Sequence, residues 1–391
     1  MTNRAAPSAT SPRRSGAAAA GWVSAALVVV QICAWTALGA RFEGSIDADV
    51  AEGVVDGREW QLSYLRHPPL SSWLSGVAST TGPWRYFVLF AIALAFGCGA
   101  FALVSLFIRR VDGRAAGLVA LLAGLGSPYA TYWPLKFNHN IGVMPFWALV
   151  LWTAWNAFEG GSLASWALFG AAVGFGLWAK YAILHLVAPL GVAFFLVPDW
   201  RKRLAGPGPW LAAAIAVAIV APQAIDVAHN GATTLKWATH TTPAGAGERI
   251  GWMALFVFDA ALANAPMAII AWIACGGDRL KAAIRAMVAP ATMTRFDLFL
   301  HVAAVGPVLL IVLFAPFGVR IFYHWLTALA VVFAAWWGHA AARAGLLAMP
   351  RRAWFAFDRR LQVRIAGDHQ RAAPPEIGDV DPRRVAPVAP F

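Results

Sequence analysis

Charged residues are scarce in this sequence. Asp, Glu, Lys and Arg make up 13% of its 391 residues, about half of the ~25% that soluble domains carry. Apolar residues take their place and fall in blocks of about twenty, the length at which a helix crosses a bilayer. Because such blocks recur along the whole chain, one large soluble core is excluded and a polytopic membrane protein is predicted.

Cysteine is rare, and the common nucleotide-binding signatures are missing. The three cysteines, Cys33, Cys98 and Cys275, lie within or beside apolar blocks. They lack metal-site spacing, so we interpret them as small apolar residues of membrane helices. The sequence contains no GxGxxG after a strand, no phosphate-binding lysine loop and no HExxH. A membrane enzyme without a nucleotide fold is expected to use an activated substrate linked to a lipid.

Negative charge is scarcer than positive charge. The chain has 19 acidic and 31 basic residues, a formal net charge of +12. Much of the basic excess lies in short segments between apolar blocks and in the two terminal segments, as the positive-inside rule expects for a membrane protein. Nucleic-acid binding is therefore disfavoured as the explanation of the charge.

The apolar blocks predict an all-α integral membrane protein, a bundle of about ten transmembrane helices over residues 1–342. The predicted spans are 22–40, 86–108, 115–132, 141–158, 163–179, 181–197, 210–225, 250–275, 296–317 and 321–342. The first block is interpreted as a retained span, because it is too long for a signal peptide and lacks a clear small-x-small cleavage site.

The basic connections predict the orientation. They place the N-terminus in the cytoplasm and the segment 41–85, with its interfacial helices, on the periplasmic side of a bacterial inner membrane. The Arg- and Pro-rich segment 343–391 is predicted to be a disordered cytoplasmic tail.

The first periplasmic loop concentrates acidic residues. They are Glu43, Asp47, Asp49, Glu52, Asp56 and Glu59. The last four recur at three- and four-residue spacing, which on a helix gives one acidic face, with Val50, Val54 and Val55 elsewhere and against the membrane surface. A solvated face of an interfacial helix is one interpretation. The other is a site in which a metal, a substrate cation or basic side chains compensate the like charges.

Two further segments carry candidate binding residues. Arg66 and His67 precede two prolines, which exclude helix at His67 and let Pro69 open the next helix; a simple connector explains them equally well. Asn138 and His139 lie with Asn140 at the mouth of a span, beside Tyr132 and Trp133, which are ordinary interfacial anchors.

Two cationic positions lie at the periplasmic ends of later spans. Lys180, followed by Tyr181, is either a snorkelling lysine or a partner for the phosphate of a lipid carrier. Arg320 and His324, at the mouth of the last span, invite the same interpretation with less support.

The first half of the chain resembles a known family. The runs Asp49-Val-Ala-Glu52-Gly and Gly57-Arg-Glu-Trp-Gln-Leu-Ser-Tyr-Leu-Arg-His-Pro-Pro-Leu70, with Ser127-Pro128 and Gly170–Tyr181, are similar to bacterial glycosyltransferase family 39. This family includes the protein mannosyltransferases and the lipid A aminoarabinose transferases. The resemblance covers roughly residues 22–197.

The resemblance implies a type C glycosyltransferase fold with a periplasmic active site. It implies transfer of a sugar from a polyprenyl-phosphate donor to a lipid, glycan or protein acceptor, with inversion at the anomeric carbon. Asp49 matches the family's acidic position and is the expected general base, with Glu52 beside it. Lys180, with Arg66 or Arg320, is expected to stabilise the leaving phosphate.

The resemblance leaves a divalent metal ion open, with His67, His139 and the carboxylates as the ligands available. Two positions depart from the family pattern, since relatives often carry Lys at Arg66 and an aromatic residue at Asp56. Two other functions stay open: a lipid or sugar transporter or flippase, and a catalytically silent relative with a shortened C-terminus. Neither the sugar nor the acceptor is specified by the sequence.

Overall fold

A computed structural model describes residues 13–42, 46–231, 236 and 242–345, with side chains from residue 21 onward. Within these residues the chain is helical and forms no strand, which confirms the predicted all-α class. The α-helices are α1 (Arg13–Phe42), α2 (Ala48–Asp56), α3 (Leu70–Ser79), α4 (Arg85–Asp112), α5 (Arg114–Leu125), α6 (His139–Gly142), α7 (Met144–Gly160), α8 (Leu163–Ala179), α9 (Leu184–Leu196), α10 (Pro198–Arg201), α11 (Pro207–His229), α12 (Ala246–Cys275), α13 (Gly277–Val288), α14 (Arg295–Val312) and α15 (Leu326–Arg343).

Short 3-10 helices punctuate the connections. They lie at Gly82–Trp84, Pro128–Ala130, Trp133–Leu135, Tyr181–Ile183, Lys202–Ala205, Ala315–Phe317 and Tyr323–Trp325. Four of them have proline in their first turn, where the missing N–H costs no hydrogen bond.

Each of the ten predicted spans contains a helix, but the count of ten spans is not confirmed. Seven helices in the described part of the chain are long and apolar enough to cross a membrane, or eight if one bent pair is a single span. That pair, Tyr181–Leu196 with Pro198–Ala205, bends by 102°. Two further apolar helices, Arg114–Leu125 and Leu163–Ala179, are shorter. Composition marks an apolar block without fixing the length of its helix.

Side-chain contacts define two ends of the bundle. At one end Ser63 donates a hydrogen bond to Asp226 and Arg249 donates to the carbonyl of Pro316. We call this the site end. At the opposite end, the far end, Arg295 lies 2.5 Å from Asp199, and the strongly basic connections fall there as well. The predicted grouping of basic residues therefore holds for the fold.

The last span lies at the centre of the bundle. In α15, 78% of the apolar window is buried inside the protein, against 17% in α12 and 11% in α1. α15 packs against α4, α5, α7, α12, α13 and α14. The burial of α15 by protein explains why its small residues pack closely, whereas α1 and α12 present large apolar side chains outward, as lipid-facing helices do.

A buried polar cluster closes the far end. The imidazole of His339 in α15 lies 2.8 Å from Asp112 through Nδ1 and 2.8 Å from Asp297 through Nε2. Asp297 also completes a capping box with Thr294 at the start of α14. Because these residues belong to α4, α14 and α15, the cluster joins three helix ends far from the acidic loop.

At the site end, α2 and α3 cross at two glycines. A Cβ added at Gly57 would lie 2.6 Å from the amide nitrogen of Gly76 and would overlap the carbonyl of Ser72. Such contacts involve backbone atoms, which cannot swing away. Gly57 has an ordinary φ of −65°, so glycine is required here for the close approach alone.

We predict that Gly57→Ala destabilises the loop by about 1–3 kcal/mol, the usual cost of overpacking. The readout is the thermal midpoint of the purified protein in detergent. Gly99→Ala in α4 is the matched control, because nothing lies within 4 Å of a Cβ there. Equal midpoints for the two variants would contradict the predicted close crossing.

Candidate functional site

Asp49 lies in the first turn of α2 and is exposed. Asp47 caps this helix, its side chain accepting a hydrogen bond from the Asp49 backbone N–H at 3.0 Å. The Oδ2 atom of Asp49 accepts a hydrogen bond of 3.0 Å from the Nδ2 atom of Asn138. The amide orients the carboxylate through one of its two oxygens. These contacts bring together two residues that the sequence analysis had predicted separately.

Glu52 is paired with a cation. Its Oε2 atom lies 3.3 Å from a guanidinium nitrogen of Arg66, and both side chains are partly exposed. This pair joins α2 to the segment before the two prolines. The Arg66 charge therefore compensates Glu52, whereas the Asp49 carboxylate is held by a neutral amide.

The acidic face is shorter than the sequence analysis predicted. α2 ends at Asp56, so Glu59 lies in the following turn and not on the helix, because Gly57 packs against α3 and the chain turns there. Burial, together with Glu52 and Glu59, raises the pKa of Asp56 to about 6. Val50 is not at the membrane surface: it is 2% exposed and belongs to the core. Glu43 lies outside the described residues.

The segment Asn138–Asn140 connects this carboxylate to a cation. The Asn138 side chain also accepts a hydrogen bond from the Asn140 backbone N–H at 3.0 Å, capping the short helix α6. The Oδ1 atom of Asn140 accepts a short hydrogen bond from the Nζ atom of Lys180. Two amides of one helical turn thus hold the Asp49 carboxylate and the Lys180 ammonium.

Lys180 lies in the break between α8 and the next 3-10 helix. Its backbone is extended, with φ −167° and ψ 138°, which carries the chain around the turn at the site end. Burial lowers the pKa of its ammonium to about 8, against the opposing attraction of Asp49. Burial disfavours the charged form of this amine, and an anionic group placed beside it would favour that form.

Two predicted histidines are stacked beside this pair. The rings of His67 and His139 lie 4.1 Å apart with an interplanar angle of 27°. Burial lowers the pKa of His67 well below its usual value, as do His139, Lys180, Arg66 and His324. His67 is therefore neutral at pH 7. It offers hydrogen bonding and a flat surface but no positive charge.

Tyr181 and Arg320 lie at the site end with other partners. The hydroxyl of Tyr181 accepts a hydrogen bond of 3.3 Å from Gln223 in α11, so Tyr181 holds two helices together. The guanidinium of Arg320 is exposed and lies 5.3 Å from the centre of the Phe322 ring. In the part of the chain that the structure describes, no contact joins Arg320 to Asp49 or Lys180.

Two interactions at the site were not foreseen. Lys136 lies 3.4 Å from Asp47 and 5.7 Å from the centre of the Tyr132 ring. In the sequence, the indication that Lys136 belongs to the site was its position two residues before Asn138. Ser63 donates a hydrogen bond of 2.5 Å to Asp226, although 163 residues separate them. No sequence pattern marks that pairing.

The metal site left open by the sequence does not form from the described residues. Among them, no three His, Cys, Asp or Glu side chains converge as a metal ion requires. His67 and His139 are stacked on each other, Asp49 is held by Asn138, and Glu52 is held by Arg66. A divalent metal at this loop stays a prediction from the resemblance.

Comparison with known proteins identifies similar chains. Residues 66–225 match the family described as dolichyl-phosphate-mannose-protein mannosyltransferase. The lipopolysaccharide core galacturonosyltransferase RgtA of Rhizobium johnstonii is 29% identical over 249 residues, which are 58% of this chain and 47% of RgtA. The chain therefore spans about half the length of this relative.

Two solved structures have a similar fold. ArnT from Cupriavidus metallidurans in its apo state superposes with a TM-score of 0.63 at 17% identity, over 87% of this chain and 62% of ArnT. The same protein bound to undecaprenyl phosphate gives a TM-score of 0.61, over 89% of this chain and 64% of ArnT. At this identity the similarity concerns the fold. The resemblance inferred from sequence is confirmed, and the chain has the type C glycosyltransferase fold.

The lysines of the site allow a direct test. We predict that Lys180 titrates near pH 8, whereas the pKa of Lys136 lies above its usual value, because Tyr132 and Asp47 raise it although burial opposes them. Reductive methylation with ¹³C and an NMR titration from pH 7 to 11 measures both. The sequence has only Lys136, Lys180, Lys202, Lys236 and Lys281, and Lys180→Arg assigns the signal. An ordinary titration of Lys180 near 10.5 would contradict the proposed burial of its ammonium.

Proposed function

We propose that this chain, which has the type C glycosyltransferase fold, is a membrane glycosyltransferase. It transfers a sugar from a polyprenyl-phosphate donor to a hydroxyl of a lipid, glycan or protein acceptor. The observation that supports this most is the pairing of an exposed carboxylate, Asp49, with a partly buried ammonium, Lys180, through Asn138 and Asn140. The match to a mannosyltransferase family and the likeness to RgtA support the same class of reaction.

Asp49 acts as the general base in this proposal. It accepts the proton of the acceptor hydroxyl as the oxygen attacks the anomeric carbon, and a base in hydrogen-bond reach contributes about 10²–10⁴-fold to the rate. The Asn138 amide donates to one carboxylate oxygen and leaves the other for the hydroxyl. Glu52, paired with Arg66, orients the neighbouring turn of α2.

Lys180 binds the leaving phosphate. Departure of the polyprenyl phosphate concentrates negative charge on its oxygens, and a preorganised cation stabilises that charge in the transition state. A phosphate leaves without a general acid, so one carboxylate is sufficient. The stacked rings of His67 and His139 lie beside the phosphate position and exclude water from it.

Attack by the hydroxyl from the side opposite the phosphate inverts the anomeric carbon. The arrangement of one base and one leaving-group cation supports this single displacement, because it needs no nucleophile on the protein. We place the site on the periplasmic side of a bacterial plasma membrane with the N-terminus in the cytoplasm. The support for this is the basic far end, which carries Arg109, Arg110 and the run Arg201–Arg203.

Asp49→Asn should lower the rate of sugar transfer by about 10²–10⁴-fold, because the amide keeps the shape of the carboxylate but cannot accept the proton. The measurement uses a strain that lacks the gene: mass spectrometry of extracted envelope lipids and glycans identifies the sugar-bearing product that disappears. Complementation with each variant then measures restored product.

Glu59→Gln is the matched control. Glu59 lies in the same loop, is exposed, and accepts a hydrogen bond from Gln61, so its replacement should restore the product fully. Full restoration by Asp49→Asn, at equal protein abundance in the membrane, would exclude Asp49 as the base.

Binding of the donor carrier should weaken as pH rises. Lys180 carries its charge below its pKa of about 8 and loses it above. The affinity for undecaprenyl phosphate should therefore be full at pH 7 and fall by up to about tenfold per pH unit above 8. Lys180→Arg stays charged and should remove this decline. A wild-type affinity that is flat to pH 9.5 would remove Lys180 from the phosphate site.

A further inference from the structure

A pocket lies on the opposite side of α2 from Asp49. It has a volume of about 320 Å³ and is formed where α2, α3 and the start of α4 meet. α2 contributes Val54 and Val55, the turn after it contributes Arg58, α3 contributes Ser75, and α4 contributes Arg85 and Leu89. We call it the Arg58–Arg85 pocket. Neither of its arginines belongs to the site described above.

Helical spacing separates this pocket from the acidic face. Ala51, Val54, Val55 and Arg58 recur at three- and four-residue spacing and share one side of the helix, with Arg58 just past its last turn. Asp49 and Glu52 lie on the other side. The carboxylates therefore point away from the two arginines and do not neutralise them.

Within the part of the chain that the structure describes, Arg58 and Arg85 form no ion pair. Both residues are exposed. Among the ion pairs of the described residues, none involves Arg58 or Arg85, whereas Arg66 in the same loop pairs with Glu52. The Arg85 guanidinium lies 5.1 Å from the centre of the Tyr86 ring, a contact that orients it and leaves its N–H groups for a ligand.

The pocket lies at the level of the membrane interface. Arg85 is the first residue of α4, and the membrane span Gly82–Asp112 begins just before it. Trp84, at the same level, is 66% exposed, as is common for aromatic residues in the headgroup region. Val55 is 62% exposed and gives the pocket an apolar wall open to its surroundings.

We propose that the Arg58–Arg85 pocket binds an anionic phospholipid from the leaflet at the site end. Two guanidiniums match the geometry of a phosphate, which they bind through paired N–H groups. The apolar wall of Val54, Val55 and Leu89 accommodates the first carbons of an acyl chain, which a soluble phosphate lacks. This proposal does not depend on the transferase activity, because neither Asp49 nor Lys180 takes part.

The test is retention of lipid by the full chain, measured by native mass spectrometry. The protein is titrated with phosphatidylglycerol, with phosphatidylcholine of the same acyl chains, and with inorganic phosphate. The expected result is preferential retention of phosphatidylglycerol. Equal retention of the two lipids, or binding of inorganic phosphate as tight as that of phosphatidylglycerol, would overturn the proposal.

Variants then locate the bound lipid. Arg58→Gln with Arg85→Gln should lower the affinity for phosphatidylglycerol at least about tenfold, because charge-assisted hydrogen bonds to the phosphate are lost. Arg41→Gln is the matched control: Arg41 ends α1 at the same side of the membrane, with its guanidinium over the Phe42 ring, and should leave the affinity unchanged. Unchanged affinity in the double variant, or an equal loss in Arg41→Gln, would refute the assignment to this pocket.

Discussion

The candidate site depends on one helical turn, Asn138–Asn140, whose two amide side chains hold groups of opposite charge. Asn138 donates to the Asp49 carboxylate, and Asn140 accepts from the Lys180 ammonium. Amides have no net charge, so they orient the two ions without neutralising either. A direct ion pair between Asp49 and Lys180 would compensate both charges and remove the proposed base and the proposed phosphate-binding cation together. The amide turn keeps the two groups close without pairing them directly.

Burying the Lys180 ammonium costs free energy of folding, and contacts elsewhere in the loop offset that cost. Burial lowers the pKa of Lys180 to about 8, which means that the folded protein binds this proton less tightly than water-exposed lysine does. The loop is fixed by contacts on each side: Glu52 pairs with Arg66, and Ser63 binds Asp226 at the end of α11. These contacts hold the loop in place around a partly desolvated cation, whose charge a bound phosphate would favour under the proposed function.

Local residue chemistry was readable from the sequence, whereas pairing between distant segments was not. A lone lysine between two apolar blocks, a carboxylate after the first span and amides at the mouth of another each depart from their apolar surroundings, so Lys180, Asp49 and Asn138 were predicted. The hydrogen bond between Ser63 and Asp226, which lie 163 residues apart, depends on how the helices pack. The burial of Val50 likewise depends on packing that the periodicity of α2 does not reveal. The short length of α8 and the bend between α9 and α10 were not predicted either, because hydropathy measures composition and not helix length or direction.

The crossing of α2 and α3 sets the orientation of everything on α2. Each residue advances an α-helix by about 100°, so a shift of one residue in the contact at Gly57 and Gly76 would turn Asp49 away from Asn138 and turn the valines toward it. Only glycine at both positions lets the two backbones meet at this distance. The contact therefore does more than pack two short helices. It fixes which side of α2 presents carboxylates toward Lys180 and which side presents Val54 and Val55 to the Arg58–Arg85 pocket. The two sides of this short helix therefore differ in charge.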